Sequence, residues 1–420
     1  MSDIVVHTLS CGATVLCEKI SGVRSVGIAW MIPGGSAYDP AHLQGRGTLW
    51  SELLLRGAGD LDSRDQADAF DRLGVSRSCD LGAYTIRIGA TLMGSCVQRT
   101  LPLLMDMVLR PRMDDDALEP SRELALAALE TLKDDPQERA AHLARDRHYA
   151  PPLNRSGLGS VEGLQAITIE DLRSGWANTV VPGGENRSGA LLGFAGDIEP
   201  EAIIAQLEEL TSSWRGSINE PVCAGTPPRG YAHEEDPSNQ VQIIVLHDAP
   251  SESSDESILE KVLVNILSGG MAGRLFTQVR EKRGLCYSVN AGYRGERDFG
   301  SVSAYVGTTP DKAQQSLDVL FDELKLLSTP QGRITRGEFD RAITGMITGV
   351  VFSGESTGAR ASSIISDYRR LGRARSLAEV TAQVRSVTLD KVNAYLAQRQ
   401  MGTVTIQTLG PAQLIPPASM

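Results

Sequence analysis

Histidine is the side chain most often asked to hold a catalytic metal, and this 420-residue chain has six, at positions 7, 42, 142, 148, 233 and 247. No two stand at the i, i+4 spacing that puts a pair of imidazoles on one helical face, and His142 and His148 point to different sides of any helix. A metal site within the chain is not expected from them. His233-Glu-Glu-Asp236 has the composition of a ligand cluster, but it follows a Gly- and Pro-rich stretch and reads as a solvated acidic turn. The cysteines (Cys11, Cys17, Cys79, Cys96, Cys223, Cys286) are scattered, without the Cys-x-x-Cys pair of a structural zinc or redox site, and read as small buried hydrophobes. There is no G-x-S-x-G nucleophile elbow and no G-x-x-x-x-G-K-[ST] phosphate loop.

The elements available to position chemistry fall into two similar halves. Periodicity disappears over Trp214 to Gly230, where Gly, Pro and Ser accumulate as in a linker. The division is 1–217, a linker 218–232, and 233–420. In the first half the apolar run Ser25 to Ile32 reads as a strand and precedes a helix-like segment, Thr48 to Arg56, that stops at Gly57. In the second, Gln240 to His247 precedes a helix with apolar residues at Ile258, Leu259, Val262, Leu263, Ile266 and Leu267, with Ser253 or Ser254 as its N-cap. Later, Ala190 to Pro200 leads into a helix Glu201 to Leu210, and Ser303 to Pro310 into a helix Asp311 to Leu326. Strand, turn and helix in matching order indicate a duplicated α+β domain.

Composition removes other function classes. With 41 Lys and Arg against 52 Asp and Glu the net charge is −11, which disfavours a nucleic-acid partner, and no basic cluster appears. The N-terminus lacks a basic leader with an apolar core, and nowhere do roughly 18 apolar residues run together. A cytoplasmic protein without a membrane span is expected.

Read in order, several segments resemble one family. Pro33-Gly-Gly-Ser-Ala-Tyr-Asp-Pro40 and Leu43 to Gly57 look like the opening of the pitrilysin/insulinase-type (inverzincin) zinc peptidases. Asp134-Asp-Pro136, Gly157-Leu-Gly159, Ile167 to Leu172, Ala195 to Pro200 and Glu355-Ser-Thr357 are similar to further stretches, and Gly270 to Val289 is the strongest. The resemblance spans essentially the whole chain. It implies two homologous domains, each a mainly antiparallel sheet packed with helices, as in mitochondrial-processing-peptidase-like metallohydrolases.

In active members of that family the second segment carries H-x-x-E-H on a helix, with two zinc-binding histidines and a glutamate general base. Here the first histidine falls on Thr48, the base on Ser51 and the second histidine on Glu52. The third ligand, a downstream glutamate, falls near Ser121, with Glu119 and Glu123 close by. A lone carboxylate at Glu52 would hold zinc weakly, because such sites need three protein ligands. On an otherwise apolar helix face it could also point at a cavity or pair with a basic residue.

The second half keeps what resembles the family's R-x6-Y pair, Arg280 and Tyr287. In active members this pair reaches the zinc centre from the C-terminal domain. The local pattern suits it: Met271 to Lys282 reads as a helix, Gly284 as its C′ residue, and Leu285 to Tyr293 as a strand. Cations at a helix C-terminus and a tyrosine in a strand are also ordinary features, and Arg274 and Arg283 are alternatives for the arginine.

The resemblance is to the zinc-free subunit of bacterial two-chain peptidases. It implies that a homologous H-x-x-E-H chain holds the zinc, that peptides or unfolded segments are the substrate, and that substrate adds a strand to a sheet edge of the partner. The alternatives are an inert assembly scaffold, in which Arg280 and Tyr287 are dispensable, and a peptide-binding subunit that cuts nothing. The acidic charge raises the further expectation of a bias toward basic peptides.

Overall fold

A computed structural model describes residues 4–417 as two compact α+β units. The first comprises the described residues through Thr131 with Pro151–Ala224 and Phe352–Ser376; the second comprises Leu132–Ala150, Gly225–Val351 and Leu377 onward. Segments 132–150 and 352–376 therefore cluster away from the sequence half that contains them. Among the described residues no helix is long and apolar enough to cross a membrane.

The first unit is built on strands β1 (Ile4–Thr8), β2 (Thr14–Lys19), β3 (Ser25–Pro33), β4 (Ser76–Leu81), β5 (Thr85–Met93) and β6 (Leu191–Gly196), in the order β1-β2-β6-β3-β5-β4. All neighbours are antiparallel except β2 with β6. Side chains alternate across a strand, and β3 uses both faces. Val26, Ile28, Trp30 and Ile32 enter the main core, while Ala29 and Met31 enter a second apolar layer with Ala361, Ile364 and Ile365 of the helix Thr357–Leu371. That helix lies so close that a Cβ at Gly27 would stand 2.2 Å from the Thr357 backbone, and one at Gly193 would stand 2.3 Å from Ile365 Cγ2.

The second unit has β7 (Gly230–Glu235), β8 (Val241–Ala249), β9 (Cys286–Gly295), β10 (Gly300–Thr308) and β11 (Thr405–Gly410), ordered β9-β10-β8-β11-β7. Only β11 with β7 is parallel. Read in reverse, this is the first sheet without β1: β7, β11, β8, β10 and β9 take the places of β2, β6, β3, β5 and β4. Val241, Ile243 and Val245 face the core, and Ile244 and Leu246 face Ala140 and Ala144 of the helix Pro136–His148.

The duplication extends to side chains. Arg360 is the fourth residue of its helix and pairs at 2.5 Å with Glu18, the fifth residue of β2. Arg139 is the fourth residue of the corresponding helix and bonds at 2.8 Å to Glu234, the fifth residue of β7, and at 2.8 Å to Asp236. The acidic run at 233–236 is thus not a solvated turn. Its first three residues are strand, His233 Nδ1 lies 3.0 Å from Thr408 Oγ1, and its carboxylates anchor a helix.

Two readings of the sequence are corrected. The segment Ser303 to Pro310 pairs with the wrong copy: β10 and the helix Ala313–Leu326 correspond to β5 and the helix Val97–Leu109, whereas β6 corresponds to β11. A strand followed by a helix recurs within each unit, so that signal does not identify the copy. The helix after β8 is Ser257–Ser268 with Glu256 at its N-cap and no side-chain cap; Ser254 Oγ accepts from the Glu256 N–H at 3.2 Å in the preceding turn.

Candidate functional site

The helix corresponding to the zinc-binding segment runs Arg46–Leu53 and is held at its N-terminus by the turn before it. Asp39 is buried and accepts from the Gly45 N–H at 2.9 Å and the Gly47 N–H at 3.0 Å. These are the first orphan donors of the helix. Burial pushes the Asp39 carboxyl up to about 6, against the pull of those two N–H groups and Arg46. Gly45 takes φ 110°, and Trp50 Nε1 donates to the Leu172 carbonyl at 3.0 Å. Leu49, Trp50 and Leu53 face the core; Thr48, Ser51 and Glu52 share the opposite, half-buried face.

That face does not suit zinc. Thr48 Oγ1 donates to the Gly157 carbonyl at 2.6 Å, and Ser51 Oγ donates to the Thr48 carbonyl at 2.8 Å, so both hydroxyls are committed to backbone. Glu52 makes no ion pair among the described residues, where no three His, Cys, Asp or Glu side chains converge as a metal would need. On the helix Asp115–Lys133, Ser121 is on the buried stripe with Leu118 and Ala125, its Oγ without a partner, while Glu119 and Glu123 are exposed. The inward position carries a hydroxyl, and the nearby carboxylates face away from the core. Elemental analysis of the chain purified alone and dialysed against zinc is expected to find far less than one equivalent; a stoichiometric ion would contradict this account.

Two histidines are used structurally in the second unit. His247 is fully buried, with Nδ1 2.7 Å from the Asp248 carbonyl and Nε2 3.1 Å from Arg399 Nη2. Its partners therefore specify a neutral ring protonated at Nδ1. Burial, with Arg399 beside it, lowers its pKa to about 4; burial and Arg229 lower that of His148 to about 4. An unfolded-chain imidazole titrates near ~6.5. As pH falls from there toward ~4, the unfolded chain takes up protons that the folded unit refuses, so stability is complete above the window and declines through it. Imidazole NMR signals of both residues should remain those of neutral rings at pH ~5; titration of either near its unfolded-chain value would overturn the assignment.

The Arg/Tyr segment departs from the expected regular helix. Residues Phe276–Glu281 form a π-helix, a wider turn that recurs at functional sites. It closes with the Lys282 N–H on the Thr277 carbonyl at 3.0 Å, the Gly284 N–H on the Arg280 carbonyl at 2.9 Å and the Leu285 N–H on the Val279 carbonyl at 3.0 Å. Gly284, at φ 58°, is the left-handed C′ residue.

Arg280 is exposed, with its guanidinium carbon 5.0 Å from the Phe276 ring centre, and it makes no ion pair among the described residues. Arg274, by contrast, is consumed. It grips Glu338 at 2.6 and 3.0 Å and donates to the Gly332 carbonyl at 2.7 Å and the Arg333 carbonyl at 3.1 Å. Arg283 donates at 2.7 Å to the Gln278 carbonyl.

Tyr287 lies on β9, an edge strand whose register on β10 jumps between Cys286 and Ser288. Cys286 faces Thr308 and Ser288 faces Gly307, so Tyr287 is the extra residue of a bulge. Tyr287 is 68% exposed. The first unit therefore holds a zinc-type helix without histidine, with one carboxylate at Glu52 and its Thr48 and Ser51 hydroxyls bonded to backbone, and the second presents a guanidinium and a phenol to solvent.

Two models of one peptidase family match the chain in tandem. Insulinase (peptidase family M16) covers residues 14–158, and the peptidase M16 inactive domain covers 187–346, together well over half of the chain. The chain belongs to the M16, or insulinase, peptidase family. Among M16 relatives, an uncharacterized zinc protease of Mycobacterium tuberculosis is 26% identical, with 97% of this chain and 94% of that protein covered. The uncharacterized zinc protease YmxG of Bacillus subtilis is 23% identical, covering 98% and 99%. The crystal structure of a peptidase M16 inactive domain from Pseudomonas fluorescens superposes with a TM-score of 0.84 at 19% identity, covering 99% of both chains. A protease from Helicobacter pylori superposes with a TM-score of 0.83 at 14% identity, covering 98% and 100%. These two likenesses establish the fold, two units each with a mainly antiparallel sheet.

Proposed function

We propose that this chain is the zinc-free subunit of a two-chain cytoplasmic metallopeptidase, and that Arg280 and Tyr287 act on peptide held at the zinc centre of a homologous H-x-x-E-H chain. The observation that carries the reading is the exposure of Tyr287 on a bulge and of an Arg280 that makes no ion pair among the described residues, in a chain whose own zinc-type helix has its hydroxyls tied to backbone. Zinc in the partner would supply the activated water. The Tyr287 phenol donates a hydrogen bond to the carbonyl oxygen as it gains negative charge, an interaction stronger in the transition state than in the ground state. Arg280 offers two parallel N–H donors to a substrate carbonyl or carboxylate, which holds an extended peptide in place.

The test is reconstitution. Mixed with a homologous H-x-x-E-H chain, this protein should confer peptidase activity on an unfolded polypeptide that neither chain shows alone. A complex that forms yet leaves activity unchanged would favour an inert assembly subunit.

A further inference from the structure

Two carbonyls just before Tyr287, those of Gly284 and Leu285, are held by side chains from beyond the strand. The Leu285 carbonyl accepts from Thr308 Oγ1, and the Gly284 carbonyl accepts from Lys312 Nζ at 2.9 Å. Ser316 Oγ lies 3.3 Å from the Leu285 carbonyl, 3.2 Å from Thr308 Oγ1 and 2.9 Å from the Lys312 carbonyl. With one proton it donates to one of them at a time. Thr308 and Ser316 are fully buried, in a region otherwise filled by Leu285, Val306, Ala313 and Leu317.

A hydroxyl at full burial costs stability unless it is bonded, so these two have a defined task. That task is local to the bulge. Thr308 is the last residue of β10 and stands opposite Cys286, the residue after which the register jumps. Where the ladder is interrupted, the Thr308 hydroxyl bonds the carbonyl two residues before Tyr287. Lys312, from the same segment, fixes the turn that ends the Arg280 helix.

We infer that Thr308, supported by Ser316, is a positioning residue for Tyr287: by holding the Leu285 carbonyl it sets the bulge that turns the phenol outward. The inference rests on the proposed role of Tyr287. Small displacements of a reacting group are costly, so loss of the hydroxyl should lower turnover on the order of tenfold while leaving substrate binding nearly unchanged.

The experiment compares Thr308→Val, which removes the hydroxyl, with Thr308→Ser, which keeps it, in the reconstituted two-chain enzyme. T308V should lower kcat by about tenfold with KM within about twofold, T308S should restore turnover, and in a Y287F background T308V should cost less than about twofold, because it acts through the phenol. Equal losses in both backgrounds, or no loss beside a large Y287F effect, would overturn the inference. A second readout does not depend on activity. With 3-fluorotyrosine at position 287, the fluorine resonance should move or broaden in T308V and return in T308S. An unchanged resonance overturns the positioning role whatever the kinetics show, whereas a Y287F enzyme with full activity defeats the proposed function and leaves this resonance to decide. If T308V does not fold, Ser316→Ala, which removes one bond from the same network, takes its place in both measurements with a smaller effect in the same direction.

Discussion

Replacing Tyr287 with phenylalanine lowers kcat of the reconstituted peptidase by about 10²-fold or more and changes KM little, the signature of a donor used only in the transition state. The size follows from the position of the group. One oriented donor removed from a developing oxyanion costs roughly 3–4 kcal/mol, far above the ~1 kcal/mol net contribution of an ordinary hydrogen bond. The same substitution should leave the melting temperature of the chain unchanged, because Tyr287 is 68% exposed and its hydroxyl makes no hydrogen bond among the described residues. That combination separates a catalytic phenol from a structural one. Arg280→Lys keeps the charge but loses the planar fork, so it should raise KM more than it lowers kcat. Steady-state kinetics on a fluorogenic peptide measure both.

Replacing Glu260 with alanine destabilises the second unit by about 3–5 kcal/mol, read as a shift in its urea unfolding midpoint. Glu260 has no solvent exposure, and Arg399 donates to it through Nη2 at 2.7 Å and Nε at 2.9 Å, with the Tyr395 hydroxyl at 2.5 Å. Burial is the largest single influence and would raise its pKa, but the Arg399 hydrogen bonds and charge, with the Tyr395 hydroxyl, together outweigh it and hold the carboxyl below its ordinary value. The stabilisation it contributes is therefore present above the ordinary carboxylate pKa, near ~4.3, and is lost as pH falls below it. Removing the carboxylate strands a guanidinium among buried groups, where His247 already occupies one side and Arg399 Nη1 has no partner. The sum of opposing terms predicts the companion result. Replacing both partners together, Glu260→Leu with Arg399→Met, should cost much less than either truncation, since the buried pair's attraction does little more than offset its desolvation.

What the sequence discloses depends on how local each signal is. The helix Ser257–Ser268 is legible because its apolar residues recur at three- and four-residue intervals, and Gly284 because a left-handed C′ position selects glycine. The Arg280 segment reads as a helix, but nothing in its residues distinguishes the wider π-turn, from which Val279 and the following Leu285 enter the core. The helices Pro136–His148 and Thr357–Leu371 each cover a sheet in the unit made mostly from the other sequence half. Ala140 and Ala144, like Ala361 and Ile364, are apolar on one face, and an apolar face does not name the sheet it will cover. The acidic run at 233–236 was obscure for the same reason, because its partner Arg139 is remote in sequence.

The candidate site divides along the same line. Thr48, Ser51 and Glu52 are legible as a zinc-type face lacking its imidazoles only through the family pattern; their spacing alone signals nothing. Arg280 could not be separated from Arg274 and Arg283 by charge. The separation comes from Glu338 and the Gln278 carbonyl, which take the other two. Thr308 and Ser316 gave no signal, since a buried hydroxyl in a strand or helix looks like any other until the carbonyl it serves is known.

The proposed function requires this chain and a homologous H-x-x-E-H chain together in fixed proportion. It is tested most directly by titrating this protein into a constant amount of the homologous H-x-x-E-H chain and recording initial rates of peptide hydrolysis. The rate should be negligible without this chain, rise linearly and reach a plateau at one copy per H-x-x-E-H chain, with Y287F reaching the same stoichiometry at a plateau lower by about 10²-fold. A partner fully active by itself, or a plateau equally high with Y287F, would contradict it.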